Sequence, residues 1–164
     1  MPKVAVIMGS YSDIGVVKPC IDILKDFGIE VDARVISAHR TPDAAHEYAA
    51  SADANGVEVI ICAAGKAAHL GGVIAAYTPL PVIGLPVKSS TMDGLDSLLS
   101  IVQMPGGIPV ATVAINGGLN AGLLAVQILA VKYPQLKDKM VKYKSELARK
   151  ISDDDKKLQE ELGL

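Results

Sequence analysis

The chain has 164 residues, half of them hydrophobic and 21% charged, with a formal net charge of −2. One Phe, five Tyr and no Trp leave Val, Ile, Leu and Ala to build the core, the palette of buried parallel strands. The same aromatic-poor, slightly acidic composition gives no footprint for nucleic acid, and two cysteines, Cys20 and Cys62, make neither a disulfide framework nor a zinc site. Apolar runs are cut by Gly and Pro well before membrane length. Met1-Pro2-Lys3 leads straight into a strand without a signal-peptide layout. A single cytoplasmic domain, with no membrane segment, is the simplest expectation.

Lys3 to Met8 reads as a first strand, followed by Gly9-Ser10-Tyr11-Ser12-Asp13 and a helix through Asp26, with Gly28 as its stop. Val31 to Ile36 is a second strand, and Thr41-Pro42 starts a helix running to about Ala54, since Pro suits a first helical turn. Val57 to Ala63 is a third strand, apolar throughout as full burial requires. Gly65 to Tyr77 is loop then helix, Leu80 to Leu85 a fourth strand, and Gly94 to Gln103 a helix. Pro109 to Ile115 is a fifth strand, and Gly118 to Tyr133 a helix that Pro134 ends. This repetition predicts an α/β fold: a parallel sheet with helices on both faces.

Two regions break the ordinary pattern. Ser97 to Val131 carries no charged residue, and its helix offers only Asn120 and Gln127 as polar groups. A surface helix shows a polar face, and a chain this small has little interior to hide one without it. The expectation is therefore a homo-oligomer. After Pro134, Leu136, Met140, Tyr143, Leu147 and Ile151 recur at helical spacing among mixed charges. They predict an amphipathic helix over about 134–162, packed on its own or a neighbouring subunit.

The ligand crevice of a parallel sheet lies outside the carboxyl ends of its strands, so the loops there matter most. Ser37-Ala38-His39-Arg40-Thr41-Pro42 puts a proton carrier beside a fixed cation, which suits an anionic substrate that needs a proton moved. Gly9 to Asp13 precedes a helix N-terminus, where free N–H groups favour a phosphate; Ser12 or Asp13 as a simple cap is the competing reading. This loop lacks G-x-G-x-x-G and a P-loop lysine, so neither a dinucleotide nor ATP is indicated. Ala63 to Gly72 follows the third strand, with small residues that let a ligand approach or let a helix pack. His69 in that loop is a ligand group or an imidazole bonded inside the fold, the residues alone favouring the second. His46, beside Glu47 in a helix, reads as solvated. Ser97, Ser100, Gln103, Met104-Pro105-Gly106-Gly107 and Pro109 form a turn that offers an uncharged wall to a flat heterocycle.

Taken in order, Gly9-Ser10-Tyr11-Ser12-Asp13, Ser37 to Pro42, Ala67-Ala68-His69-Leu70 and Asp96 to Gly107 closely resemble the N5-carboxyaminoimidazole ribonucleotide mutase family of purine biosynthesis. The likeness runs from Val4 to about Ala130, and the amphipathic tail is also typical. It implies a single three-layer α/β/α domain over residues 1–164 with a flavodoxin-like sheet, assembled into octamers whose sites lie at subunit contacts. It implies transfer of a carboxylate from an exocyclic nitrogen to ring carbon C4 of a ribonucleotide, without metal, ATP or organic cofactor. By motif, His39 is the acid/base, Arg40 meets the phosphate, Ser10 and Asp13 meet the ribose phosphate portion, and His69 is a residue of the site. Gly9, Ser12, Ser37, Ala64, Gly65, Lys66 and Leu70 complete the expected substrate-binding set. The third loop departs from the family pattern Gly-Ala-Gly-Gly-Ala-Ala-His-Leu-Pro-Gly: Ala63 replaces the first Gly, Lys66 the last of the Gly pair, and Gly71 the Pro. Lys66 either reaches a carboxylate of the substrate or points to solvent. The direct-carboxylase branch, which uses free CO2, tends to carry Lys after the second-loop His; Arg40 stands here and implies the mutase branch. The alternatives are that aminoimidazole ribonucleotide carboxylase, a non-enzymatic nucleotide-binding module on the same layers, or a structural oligomer.

Overall fold

The computed structural model describes all 164 residues. In chain order the elements are β1 Lys3–Met8, a 3-10 turn Tyr11–Asp13, α1 Ile14–Asp26, β2 Glu30–Val35, α2 Pro42–Ser51, β3 Val59–Gly65, α3 Leu70–Tyr77, β4 Val82–Val87, α4 Leu95–Val102, β5 Ala111–Thr112, α5 Gly118–Ala130 and α6 Pro134–Leu162. The strands form one parallel sheet in the order β2-β1-β3-β4-β5, the flavodoxin-like order. No helix is long and apolar enough to cross a membrane.

Successive strand residues point to opposite faces, and the inner strands β1 and β3 are apolar on both. Val4, Val6 and Met8 of β1, with Val59, Ile61 and Ala63 of β3, enter one core. Ala5 and Ile7, with Ile60, Cys62 and Ala64, enter the other. The first core is closed by α1, α5 and the start of α6, the second by α2, α3 and α4. This gives the three α/β/α layers. Both cysteines are buried and unpaired, and burial pushes the Cys20 thiol up to about 12, so neither offers a reactive thiolate.

Several boundaries move, for identifiable reasons. Val57 does not begin β3: its N–H closes the turn after α2 on the Ala52 carbonyl. β3 and β4 accordingly run two residues further than their apolar content suggests, pairing Gly65 with Val87. β5 shrinks from the seven residues expected over 109–115 to Ala111–Thr112. Beyond it the chain follows β4 irregularly, through Val113 N to Gly84 O and Asn116 N to Pro86 O. α5 stops at Ala130, and turn bonds to Leu129 lead into Tyr133.

The uncharged α5 buries Ala121, Gly122, Ala125, Val126 and Leu129. Its glycines are demanded by α1: a Cβ at Gly118 would overlap the Val16 carbonyl oxygen, and one at Gly122 the Ile23 side chain. Apolar side chains remain outside all the same, with Leu95, Leu99 and Val102 of α4 and Leu119 of α5 each more than two-fifths exposed. The tail stripe divides. Leu136 and Met140 are buried and Tyr143 meets Phe27 edge-on at 6.0 Å, whereas Leu147 and Ile151 are 50% and 69% exposed. Lys139 Nζ donates to the Phe27 carbonyl at 2.8 Å, a cation on the orphan carbonyls at the end of α1.

Candidate active site

Between β1 and β3 the chain changes direction across the sheet, and there the strand ends open a crevice. The loops after β1, β2, β3 and β4 border a cavity of about 380 Å³, within the usual range for a small-molecule site. Gly9, Ser10, Ser12, Asp13, Ser37, His39, Arg40, Ala64, Gly65, Lys66, His69 and Leu70 all border it. The cavity thus brings together His39 and all eleven residues of the expected substrate-binding set.

In the first loop Ser10, not Ser12 or Asp13, makes the cap. Its Oγ accepts from the Ser12 N–H at 3.3 Å and from the Ser12 hydroxyl at 2.9 Å. Asp13 begins α1 without capping it. Partial burial raises the Asp13 carboxyl above its ordinary 3.8, with hydrogen bonds from the Ser10 backbone and the Ser12 hydroxyl opposing the rise.

The second loop is a locked turn. Thr41 Oγ1 accepts from the Ser37 N–H and donates to the Ser37 carbonyl, both at 3.0 Å, while Ser37 Oγ accepts from the Arg40 N–H at 3.2 Å. With Pro42 fixing the first turn of α2, His39 and Arg40 are held out into the cavity. In the third loop Lys66 adopts φ +56, a left-handed conformation costing a residue with a side chain roughly 1–2 kcal/mol. The chain then folds through two tight turns, Ala68 N to Lys66 O and His69 N to Ala67 O, both 2.9 Å.

These turns carry His69 to His39. His39 Nε2 lies 3.1 Å from His69 Nδ1, the rings 5.1 Å apart and 83° to one another. The preference that the residues alone gave for a core imidazole at His69 is corrected, while the family motif's placement agrees with its position: the residue is exposed at the cavity, because those turns lift it clear of the apolar layer. His46 is solvent-exposed, its ring tilted against Tyr77 at 4.4 Å.

The uncharged wall expected from Ser97 to Pro109 is not at this cavity. Ser97 is buried and donates to the Val87 and Gly94 carbonyls, and Ser100 donates to the Asp96 carbonyl. Gly107 and Pro109 precede β5 and so lie at the opposite, amino edge of the parallel sheet, beside Pro81 and Val82. Sequence reasoning also missed a fourth lining segment, Val87-Lys88-Ser89-Ser90. The strand-end rule applied to β4 would have found it. Ser89 Oγ is held by both Asp96 carboxylate oxygens at 2.9 Å, and Lys88 pairs with Asp93 at 2.7 Å.

A doubly wound sheet with a histidine pair, Arg40 and Lys66 around a crevice at its switch point places the chain in the class of α/β proteins built to hold a small molecule at the strand ends. Comparison with known proteins narrows the class. The family model described as AIR carboxylase matches residues 3–150. N5-carboxyaminoimidazole ribonucleotide mutase of Pyrococcus abyssi is 58% identical over 149 residues, covering 91% of this chain and 86% of the relative. That of Thermotoga maritima is 54% identical, covering 98% and 94%. The crystal structure of Treponema denticola PurE superposes with a TM-score of 0.89 at 32% identity, covering 97% of this chain and 99% of the other. The chain belongs to the AIR carboxylase family, alongside members named as the mutase.

Proposed function

We propose that this chain, acting as one catalytic domain, converts N5-carboxyaminoimidazole ribonucleotide to 4-carboxy-5-aminoimidazole ribonucleotide in purine biosynthesis. The N–C bond of the carbamate breaks, releasing CO2 while the exocyclic nitrogen takes a proton. Ring carbon C4 then attacks the same CO2, and its hydrogen leaves as a proton. One proton is lent and one recovered, so a single imidazole suffices. A cavity that holds CO2 against the ring replaces a bimolecular encounter with an effectively unimolecular one.

The observation that carries this reading is His39, held by His69 at 3.1 Å and followed directly by Arg40 on a locked turn. Arg40 makes no ion pair within the chain and is assigned to the phosphate, with Ser10, Ser12 and Asp13 on the ribose phosphate portion. Gly9, Ser37, Ala64, Gly65 and Leu70 shape the wall. The exposed apolar side chains of α4, α5 and the outer half of α6 support a homo-octamer with its sites at subunit contacts. A charged ribonucleotide substrate does not cross membranes unaided, which supports a cytoplasmic enzyme.

The test is a product assay at low bicarbonate with freshly made N5-carboxyaminoimidazole ribonucleotide, run beside aminoimidazole ribonucleotide at high bicarbonate. Fast conversion of the first alone is the result expected. Turnover only of the second makes the protein a carboxylase, and no product from either makes it a binding module.

A further inference from the structure

We propose that Lys66 is a specificity residue whose ammonium pairs with the migrating carboxylate, so that the cavity prefers carboxylated ribonucleotides to aminoimidazole ribonucleotide. The inference rests on the mutase reading above and extends it to a residue at which this chain departs from the family pattern.

Three cations border the cavity: Arg40, Lys66 and Lys88. Lys88 is engaged by Asp93 at 2.7 Å. Arg40 and Lys66 have no ion pair within the chain, and Asp13 is the only carboxylate on the cavity wall. The substrate brings two anionic groups, a phosphate and a carboxylate, to these two free cations. Position decides which cation serves which group. Arg40 follows His39 on one loop; Lys66 lies three residues before His69 on the other, directly after β3, and borders the same cavity as the histidine pair. With Arg40 on the phosphate, Lys66 remains for the group that moves.

The backbone is the second observation. At φ +56 a glycine is at ease and a lysine is not, and strain kept at a site points to use of the side chain. Its use is electrostatic. Substrate and product both carry the carboxylate, while the CO2 released between them is neutral and leaves the ammonium nothing to attract. Lys66 therefore strengthens binding of both carboxylated ends without favouring the step between them, and its loss raises KM without lowering kcat.

Calorimetry on the full-length protein and its Lys66→Gly and Lys66→Arg variants measures binding of 4-carboxy-5-aminoimidazole ribonucleotide and of aminoimidazole ribonucleotide. Lys66→Gly is expected to weaken the carboxylated ligand about tenfold and the other less than twofold, with Lys66→Arg restoring most of the difference. In turnover, KM for N5-carboxyaminoimidazole ribonucleotide rises about tenfold while kcat does not fall. An equal effect on both ligands, or none, overturns the role of Lys66 and leaves the mutase reading standing. Failure of the unaltered protein to bind either ligand overturns the reading beneath it.

Discussion

His39 Nε2 and His69 Nδ1 stand 3.1 Å apart and join the loop after β2 to the loop after β3. One of these nitrogens must donate and the other accept. The tautomers of the two rings are therefore tied, and a state in which both nitrogens carry protons breaks the bond. With His39 as the proposed proton carrier, His69 stands where it would orient the ring.

His39→Asn is expected to lower kcat by about 10²–10⁴, the usual contribution of a positioned acid/base, without changing the melting temperature. His69→Asn lowers kcat by less and leaves KM for the ribonucleotide near its original value, because it frees the His39 ring without removing it. Steady-state kinetics on both variants distinguish the roles. A His39→Asn protein that still turns over at near-normal rate removes His39 from the chemistry.

Asp13 is a site carboxylate kept at a cost to the fold. Partial burial raises its pKa above 3.8, so the folded state holds the proton more tightly than the unfolded chain. Its contribution is fully favourable below the unfolded value and is lost as pH rises through the folded one. Asp13→Asn, which keeps an acceptor for Ser12, is expected to melt higher than the original protein at neutral pH, with the gap closing near about pH 3. Catalytic efficiency falls in the same variant. Melting curves at several pH values read the sign directly, and a lower neutral-pH melting temperature contradicts it.

Much of this architecture was legible in the residues. The continuous apolar runs of β1 and β3 could only be strands covered on both faces, and Gly28, at φ +78, stops α1 as expected, whereas the helix expected to reach about Ala54 ends at Ser51. What escaped was set by long-range contacts. Val57 is apolar enough for a strand, yet its N–H serves the preceding helix. Ser10 rather than Ser12 or Asp13 acts as a cap, its hydroxyl accepting from the Ser12 N–H at the start of the 3-10 turn. His69, placed by the family motif but not by its neighbours in sequence, reaches the cavity because two turns around Lys66 and Ala67 lift it toward His39. Nothing local to Ser97 or Ser100 tells that their hydroxyls are spent on the carbonyls of Val87, Gly94 and Asp96.

The contact between α1 and α5 predicts a contrast between two glycines. A Cβ at Gly118 would overlap the Val16 carbonyl oxygen, a backbone atom with little room to yield, whereas one at Gly15 meets nothing within 4 Å. Gly118→Ala is expected to cost about 1–3 kcal/mol by forcing the helices apart. Gly15→Ala, in the same helix pair, should gain about 0.5–1 kcal/mol from lower backbone freedom in the unfolded chain. Denaturant unfolding of both variants checks the pair. Equal effects would mean that α1 slides freely over α5.

Glu58 gives the opposite pH dependence to Asp13, far from the cavity. Partial burial pushes its carboxyl up, but hydrogen bonds from Lys132 Nζ and the Tyr133 hydroxyl, each 2.8 Å, outweigh this and bring it below the ordinary 4.5. The stabilisation is therefore present above that value and lost as pH falls through the folded one. Glu58 stands just before β3, and its two partners stand between α5 and α6, so the pair ties the end of one layer to the sheet. Lys132 is largely solvent-exposed, so water screens most of the charge contribution. Glu58→Gln is expected to lower stability slightly at neutral pH and by nothing measurable once the pH has fallen below the folded-state value, where the original side chain is itself neutral. Urea unfolding at the two pH values separates charge from geometry. A deficit that persists in acid would assign the contribution to the Tyr133 hydroxyl and the shape of the side chain, not to the ion pair with Lys132.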